Sequence, residues 1–327
     1  MLSPLCLATI CWFSAFLGQE HAGQPSTKPA TPEERAIAFL TREVPRWSRE
    51  NKCFSCHNNG DAARALYHAL RLGFAVPRKA LADTSEWLAK PEGWDRNDGK
   101  SGMSDKALAR IQFAAALAEA FGAQQIQDHQ ALARAAQLVA ELQHKDGSWK
   151  VDANNNLGSP ATYGACLATH QACRILKRAD KDRYKAAIAN AEAWLLHTEV
   201  KSVLDAAAVL LAIDDIKSER AEAQKDKCLD LIRKGQASNG GWGPYVQSAP
   251  EPFDTAVVVL ALVHHARRAE LKQKIQVARG YLISTQFADG SWPETTRPAG
   301  AESYAQRIST TSWAVLALLK SSPDAGR

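Results

Sequence analysis

The chain is poor in aromatic residues, which occupy 7% of its 327 positions, and it has only two methionines. It also lacks any dense block of Lys or Arg, although its formal net charge is +5. The first shortage leaves few π faces to stabilise a cation. Charge scattered along the chain fits a solvated surface, and it gives no support to a nucleic-acid partner. Leu2 to Leu17 is mostly apolar and uncharged, but short for a membrane span, and the polar stretch Gln19 to Pro32 follows it. That order fits a secretory leader. No Lys or Arg precedes the run, no Ala-x-Ala site follows it, and Ile10 before Cys11 makes a poor lipobox. The expectation is a signal peptide over 1–18, a polar linker over 19–32, and export to the periplasm or beyond with no span left after cleavage. The alternative is an uncleaved anchor.

What the chain does have is repetition. Gln143-His-Lys-Asp146-Gly147-Ser148-Trp149, Gln236-Ala-Ser-Asn239-Gly240-Gly241-Trp242 and Gln286-Phe-Ala-Asp289-Gly290-Ser291-Trp292 share one pattern. Each closes one helical pattern shortly before another begins, with a period of about 50 residues, as in arrays of helical hairpins. The second helix of each unit repeats as well. Copies start at Asp61, Asp105, Thr162, Asp205, Asp254 and Thr310, which predicts six hairpins and twelve helices. Runs such as Asp254-Thr-Ala-Val-Val-Val-Leu-Ala-Leu262 are apolar on nearly every face and should be buried all round. Glu33 to Trp47, Leu132 to Leu142, Ala187 to Leu196 and Lys272 to Leu282 alternate apolar and charged residues at helical spacing. Apolar helices inside and amphipathic helices outside make a double-layered ring, a single all-α (α/α)6 toroid over 33–322 with a tail at 323–327.

The Gln-x-x-Asp-Gly-Ser-Trp turns resemble the repeats of squalene–hopene and oxidosqualene cyclases. The Asp-Thr-Ala helix starts resemble those of cyclases and of protein prenyltransferase β subunits. The similarity covers about Glu33 to Lys320 and implies the toroid fold, while apolar inner helices around a central hollow point to an apolar or extended ligand. It does not carry over the chemistry. Where bacterial cyclases place their acid in Asp-x-Asp-Asp-Thr-Ala, this chain reads Glu251-Pro-Phe253-Asp254-Thr255-Ala256, with Phe253 at the acid's position. Asp214-Asp215 lacks the first Asp and falls at a helix end. The prenyltransferase zinc ligands, an Asp, a Cys and a later His, are not reproduced either. Asp254 is the best remaining candidate for a catalytic acid, with Glu251 beside it. Asp61, Asp105, Asp205 and Asp254 would all stand at one mouth of the ring, either as an acidic rim or as helix caps. Capping alone explains the residue type.

One motif points to separate chemistry. Cys53-Phe-Ser-Cys56-His57 is the attachment pattern of c-type haem, in which the thiols bind the porphyrin and His57 becomes the proximal iron ligand. A zinc site would need a second ligand pair, and none has matching spacing. A thioredoxin-like pair expects a strand–helix context, and a plain structural pair stays open. Met103 in a Gly-rich loop, or His68, would supply the distal ligand. A haem there would serve electron transfer with a redox partner. Cys166, His170 and Cys173 share one helical face and suit zinc, or simply a packed interior. The sequence thus carries three readings: a non-cyclising, haem-bearing binding toroid, an isoprenoid-processing enzyme with an unusual acid, or a scaffold.

Overall fold

In the computed structural model, residues 29–99, 106–151, 157–297 and 303–322 are described, and Thr31–Arg327 form one compact unit. Among the described residues there are twelve α-helices and no strand. They are α1 (Pro32–Asn51), α2 (Ala63–Arg71), α3 (Ala82–Leu88), α4 (Lys106–Gly122), α5 (His129–Ala140), α6 (Gly164–Asp180), α7 (Lys185–His197), α8 (Val203–Ile213), α9 (Glu219–Gly235), α10 (Pro252–Val263), α11 (Ala269–Thr285) and α12 (Tyr304–Lys320). A π-helical segment, Cys56–Ala62, runs directly into α2.

The even-numbered helices pack in series from α2 to α12, and α12 returns to the π-helical start of α2. That closes an inner ring. Composition explains which helix goes where. In α10 every residue from Pro252 to Leu262 is buried, as expected for a run without a polar face. In α11 burial is confined to Leu271, Ile275, Ala278, Tyr281 and Leu282, one stripe at helical spacing. The odd-numbered helices therefore form the outer layer.

The repeated turns work by a repeated set of bonds. The Trp149, Trp242 and Trp292 indoles are buried, and each Nε1 donates to a backbone carbonyl ten residues earlier (Val139, Ile232, Leu282) at 2.7 Å. Each Trp backbone N–H donates to a Thr hydroxyl on the following inner helix: Thr169, Thr255 or Thr311, at 2.8 to 3.0 Å. Gln143, Gln236 and Gln286 bond the Gly carbonyl of their own turn at 3.0 Å and reach on to the next outer helix, at Ala187, Lys274 and Pro32. The last of these joins the end of the array to its beginning. Gly147 and Gly290 have φ of +93°, and a Cβ would stand 2.3 Å from a carbonyl oxygen of Asn190 or Arg35. Only glycine meets both demands.

Two expectations are corrected. The described acidic helix starts, Asp61, Asp205 and Asp254, are not N-caps. Ser202 caps α8, accepting from Asp205 N at 2.9 Å while its hydroxyl donates to Asp205 Oδ2 at 2.7 Å. Asp254 lies inside the first turn of α10 and gives its carboxylate to an arginine, as described below. And α12 begins at Tyr304, capped by Ser303, six residues before the expected Thr310. Ser309 and Thr310 consequently lie within the helix. Met103, Asp105 and the leader expected over 1–18 lie outside the described residues.

Candidate functional site

A cavity of about 280 Å³ occupies the centre of the ring and takes lining residues from all six inner helices. α2 supplies Arg64, α4 Glu119, and α6 His170, Gln171, Cys173, Arg174 and Lys177. α8 supplies Leu211 and Ala212, α10 Leu260, and α12 Trp313, Leu316 and Lys320. Asp215 and His264, just past α8 and α10, complete it. Most of these positions fall in the C-terminal halves of their helices, so this is the C-terminal mouth of the ring.

Beneath the cavity lies a polar cluster. Asp61, wholly buried in the π-helical segment, accepts from the Tyr163 hydroxyl on one oxygen and from Gln112 Nε2 at 2.8 Å on the other. A Cβ on Gly60 would stand 3.0 Å from Gln112 Cβ, so glycine lets α4 come this close. Arg64, one helical turn after Asp61, is 2% exposed. Its guanidinium lies 4.2 Å over the Trp313 ring, a cation–π contact. Its nearest carboxylate oxygen, on Asp61, is 3.6 Å away. Arg64 Nε and Nη2 have no hydrogen-bond acceptor among the described residues. Tyr163 is held at φ +59°, uncommon for a residue with a side chain, with its ring edge-on to Trp313.

The mouth carries four cationic side chains, Arg64, Arg174, Lys177 and Lys320, against two carboxylates, Glu119 and Asp215. Glu119 accepts from Arg174 and lies 3.6 and 3.7 Å from His68 and Arg71. Burial works to raise its carboxyl, but neighbouring His68 and the Arg174 charge hold it well below the usual range. Lys177 pairs with Glu192 at 2.7 Å. Lys320 has no ion-pair partner among the described residues; burial, reinforced by Arg174, brings its ammonium down to about 8. Burial also brings His170 down to about 3, with Arg174 and Lys320 adding to the effect, so its imidazole is neutral.

At the opposite end, where the inner helices start, Arg297 is the centre. It holds Asp254 bidentately, Nη1 to Oδ2 at 2.9 Å and Nη2 to Oδ1 at 2.5 Å. It also bonds Glu251 Oε2 and the Gly158 carbonyl, each at 2.8 Å. Burial pushes the Asp254 carboxyl up to about 7, with Arg297 opposing. Both of its oxygens are engaged by Arg297, and it is not among the residues lining the central cavity. Glu251 accepts from Arg297 and Thr296 and is likewise committed.

The other expected site residues are dispersed. Cys53 lines an open groove of about 790 Å³ with Arg49, Lys52, Phe54, Trp87 and Lys90, and Phe54 stacks on Trp87 at 4.5 Å. His57 points elsewhere: its Nδ1 is 2.8 Å from Ser309 Oγ on α12, and burial lowers its pKa. Covalent haem requires Cys53, Cys56 and His57 on one void. The groove beside Cys53 includes neither Cys56 nor His57 in its lining, while the Ser309 contact engages only Nδ1 of His57. Of the second cluster, His170 and Cys173 line the cavity. Cys166 is buried, and that burial, reinforced by Asp205, pushes its thiol up. Asp214 lies 3.2 Å from both His264 and His265. Sequence reasoning missed Arg64, Lys320, Arg297 and Tyr163. A charge inside Ala62-Ala63-Arg64-Ala65-Leu66 was a readable signal, since an apolar inner helix seldom buries an arginine without a use for it. Nothing local marks Arg297.

The fold is that of the terpene cyclase toroids. The type II terpene cyclase MstE from Scytonema superimposes with a TM-score of 0.60 at 15% identity, over 89% of this chain and 98% of the other. The ent-copalyl diphosphate synthase from Streptomyces platensis gives 0.54 at 18% identity, over 82% of this chain and 50% of that one. A polysaccharide lyase matches at 0.50 and 14% identity, over 89% and 97% of the two chains. At these identities the likeness is one of architecture. No protein-family model matches the chain, and no curated protein sequence does.

Proposed function

We propose that this toroid binds the apolar part of a small molecule in its central cavity and does not protonate it through Asp254. The observation that carries this reading is the cavity itself, drawn from all six inner helices and walled by Leu211, Leu260, Trp313 and Leu316. Support comes also from MstE, solved with its substrate geranylgeranyl dihydroxybenzoate. At about 280 Å³ the cavity lies near the lower end of small-molecule sites, roughly 300–1,000 Å³, which favours a compact ligand over a long polyene. Titration with the neutral fluorophore N-phenyl-1-naphthylamine tests it. One saturable site is expected, lost when Leu316→Trp fills the cavity; no saturable binding would leave the scaffold reading. Conversion of a polyprenyl substrate that disappears in Asp254→Asn would instead establish the isoprenoid-processing enzyme.

Export, expected from the first 18 residues, belongs to this proposal, and fractionation of the producing cell checks it. The haem expected at Cys53, Cys56 and His57 is not used in it. A pyridine haemochrome spectrum with a covalent c-type band would reinstate haem and electron transfer.

A further inference from the structure

We infer that the cavity takes a compact anion, a carboxylate or phosphate bearing a short apolar group, with the charged head held between Arg64 and Lys320. This rests on the proposal that the cavity binds a small molecule, and adds the class of its polar end. Cations near helix C-termini have an ordinary reason, because they offset the negative end of the helix dipole. That reason covers Lys177 and, in part, Lys320. It does not reach Arg64, which stands in the first turn of α2.

Arg64 is the telling residue. A guanidinium has five N–H donors and stays charged, so burying it without acceptors is costly. Its neighbour Asp61 has each oxygen turned to another donor, Tyr163 and Gln112. Two Arg64 nitrogens are left without acceptors, and the Trp313 face holds the guanidinium plane in place. Half-buried Lys320 adds a second cation on the same cavity, and it has no ion pair among the described residues. An anion entering from the mouth would give both groups what the protein withholds. Its apolar group would rest on Leu260 and Leu316.

The test is displacement of N-phenyl-1-naphthylamine by hexanoate, hexyl phosphate and hexanol. Charge-assisted bonds to Arg64 and Lys320 should make at least one anion about tenfold or more better than the alcohol. The stronger of the two anions identifies the head as carboxylate or phosphate. Lys320→Met should cut the advantage of the anion severalfold and leave hexanol unchanged. Arg64→Met should abolish the advantage, and if the loss of the Asp61 counterion unfolds that variant, Lys320→Met carries the test alone. Equal displacement by all three overturns the anion site and leaves the cavity reading standing. A fluorophore that finds no saturable site removes both.

Discussion

The two ends of the inner ring are built on opposite principles. Where the inner helices begin, charges are matched: Arg297 bonds Asp254, Glu251 and the Gly158 carbonyl. On the central cavity, which opens where they end, Arg64 is buried with two nitrogens lacking acceptors, and half-buried Lys320 has no ion pair among the described residues. A matched buried network binds chain segments to one another, and an unmatched one costs stability unless something outside the chain completes it. The contrast sets the proposed ligand site, at the C-terminal mouth, against a structural network at the N-terminal one.

The sharpest way to break that contrast is Arg297→Ala. It leaves Asp254 buried without its partner and should cost about 3–5 kcal/mol in urea unfolding, with no loss of fluorophore binding per folded molecule. Asp254→Asn, which keeps an acceptor oxygen, should cost less. Equal losses of binding and stability would merge the two ends. Trp292→Ala tests the repeat itself. Removing a buried indole from the turn should cost about 3–5 kcal/mol, read by the same unfolding curve. Gln286→Ala deletes the bonds with Pro32 and Arg35 that join the last turn to α1 and the bond to Gly290 within the turn, and should cost about 1–2 kcal/mol. Lys320→Met should leave stability unchanged or raise it, because the ammonium is half-buried and has no ion pair among the described residues, while hexanoate affinity falls.

The smallest effect is a pH dependence. Lys320 faces Arg64, Arg71, His68, Glu119, His170 and Arg174, and burial brings it to about 8. It is therefore charged below that pH and neutral above it. Hexanoate affinity should hold between pH 6 and 7 and decline severalfold as pH rises through about 8 to 10. Lys320→Met should flatten the profile. Hexanol should show no such decline in either protein.

The closed ring of six hairpins was legible in the chain, and the reasons are local. A Gln, a Gly at positive φ and a Trp recur because each turn solves the same geometric problem. Apolar runs such as Asp254 to Leu262 could only be buried. Helix beginnings were less legible: Asp205 and Asp254 read as caps, but the cap before α8 is Ser202 and Asp254 serves Arg297. The Cys53–His57 motif was legible as chemistry, yet a motif says nothing about which way each side chain turns. Here the Cys53 thiol meets a groove and the His57 ring meets Ser309.

The sequence by itself determined the helical ring, since hydrophobic period and turn chemistry act over a few residues and need no distant partner. Only the tertiary structure decided where unsatisfied charge would fall. Arg64 meets Trp313 and shares the cavity with Lys320 across the closed annulus, and Arg297 meets Asp254 between two loops and a helix. Those encounters depend on the ring closing upon itself, and a linear pattern of residues contains no measure of that distance.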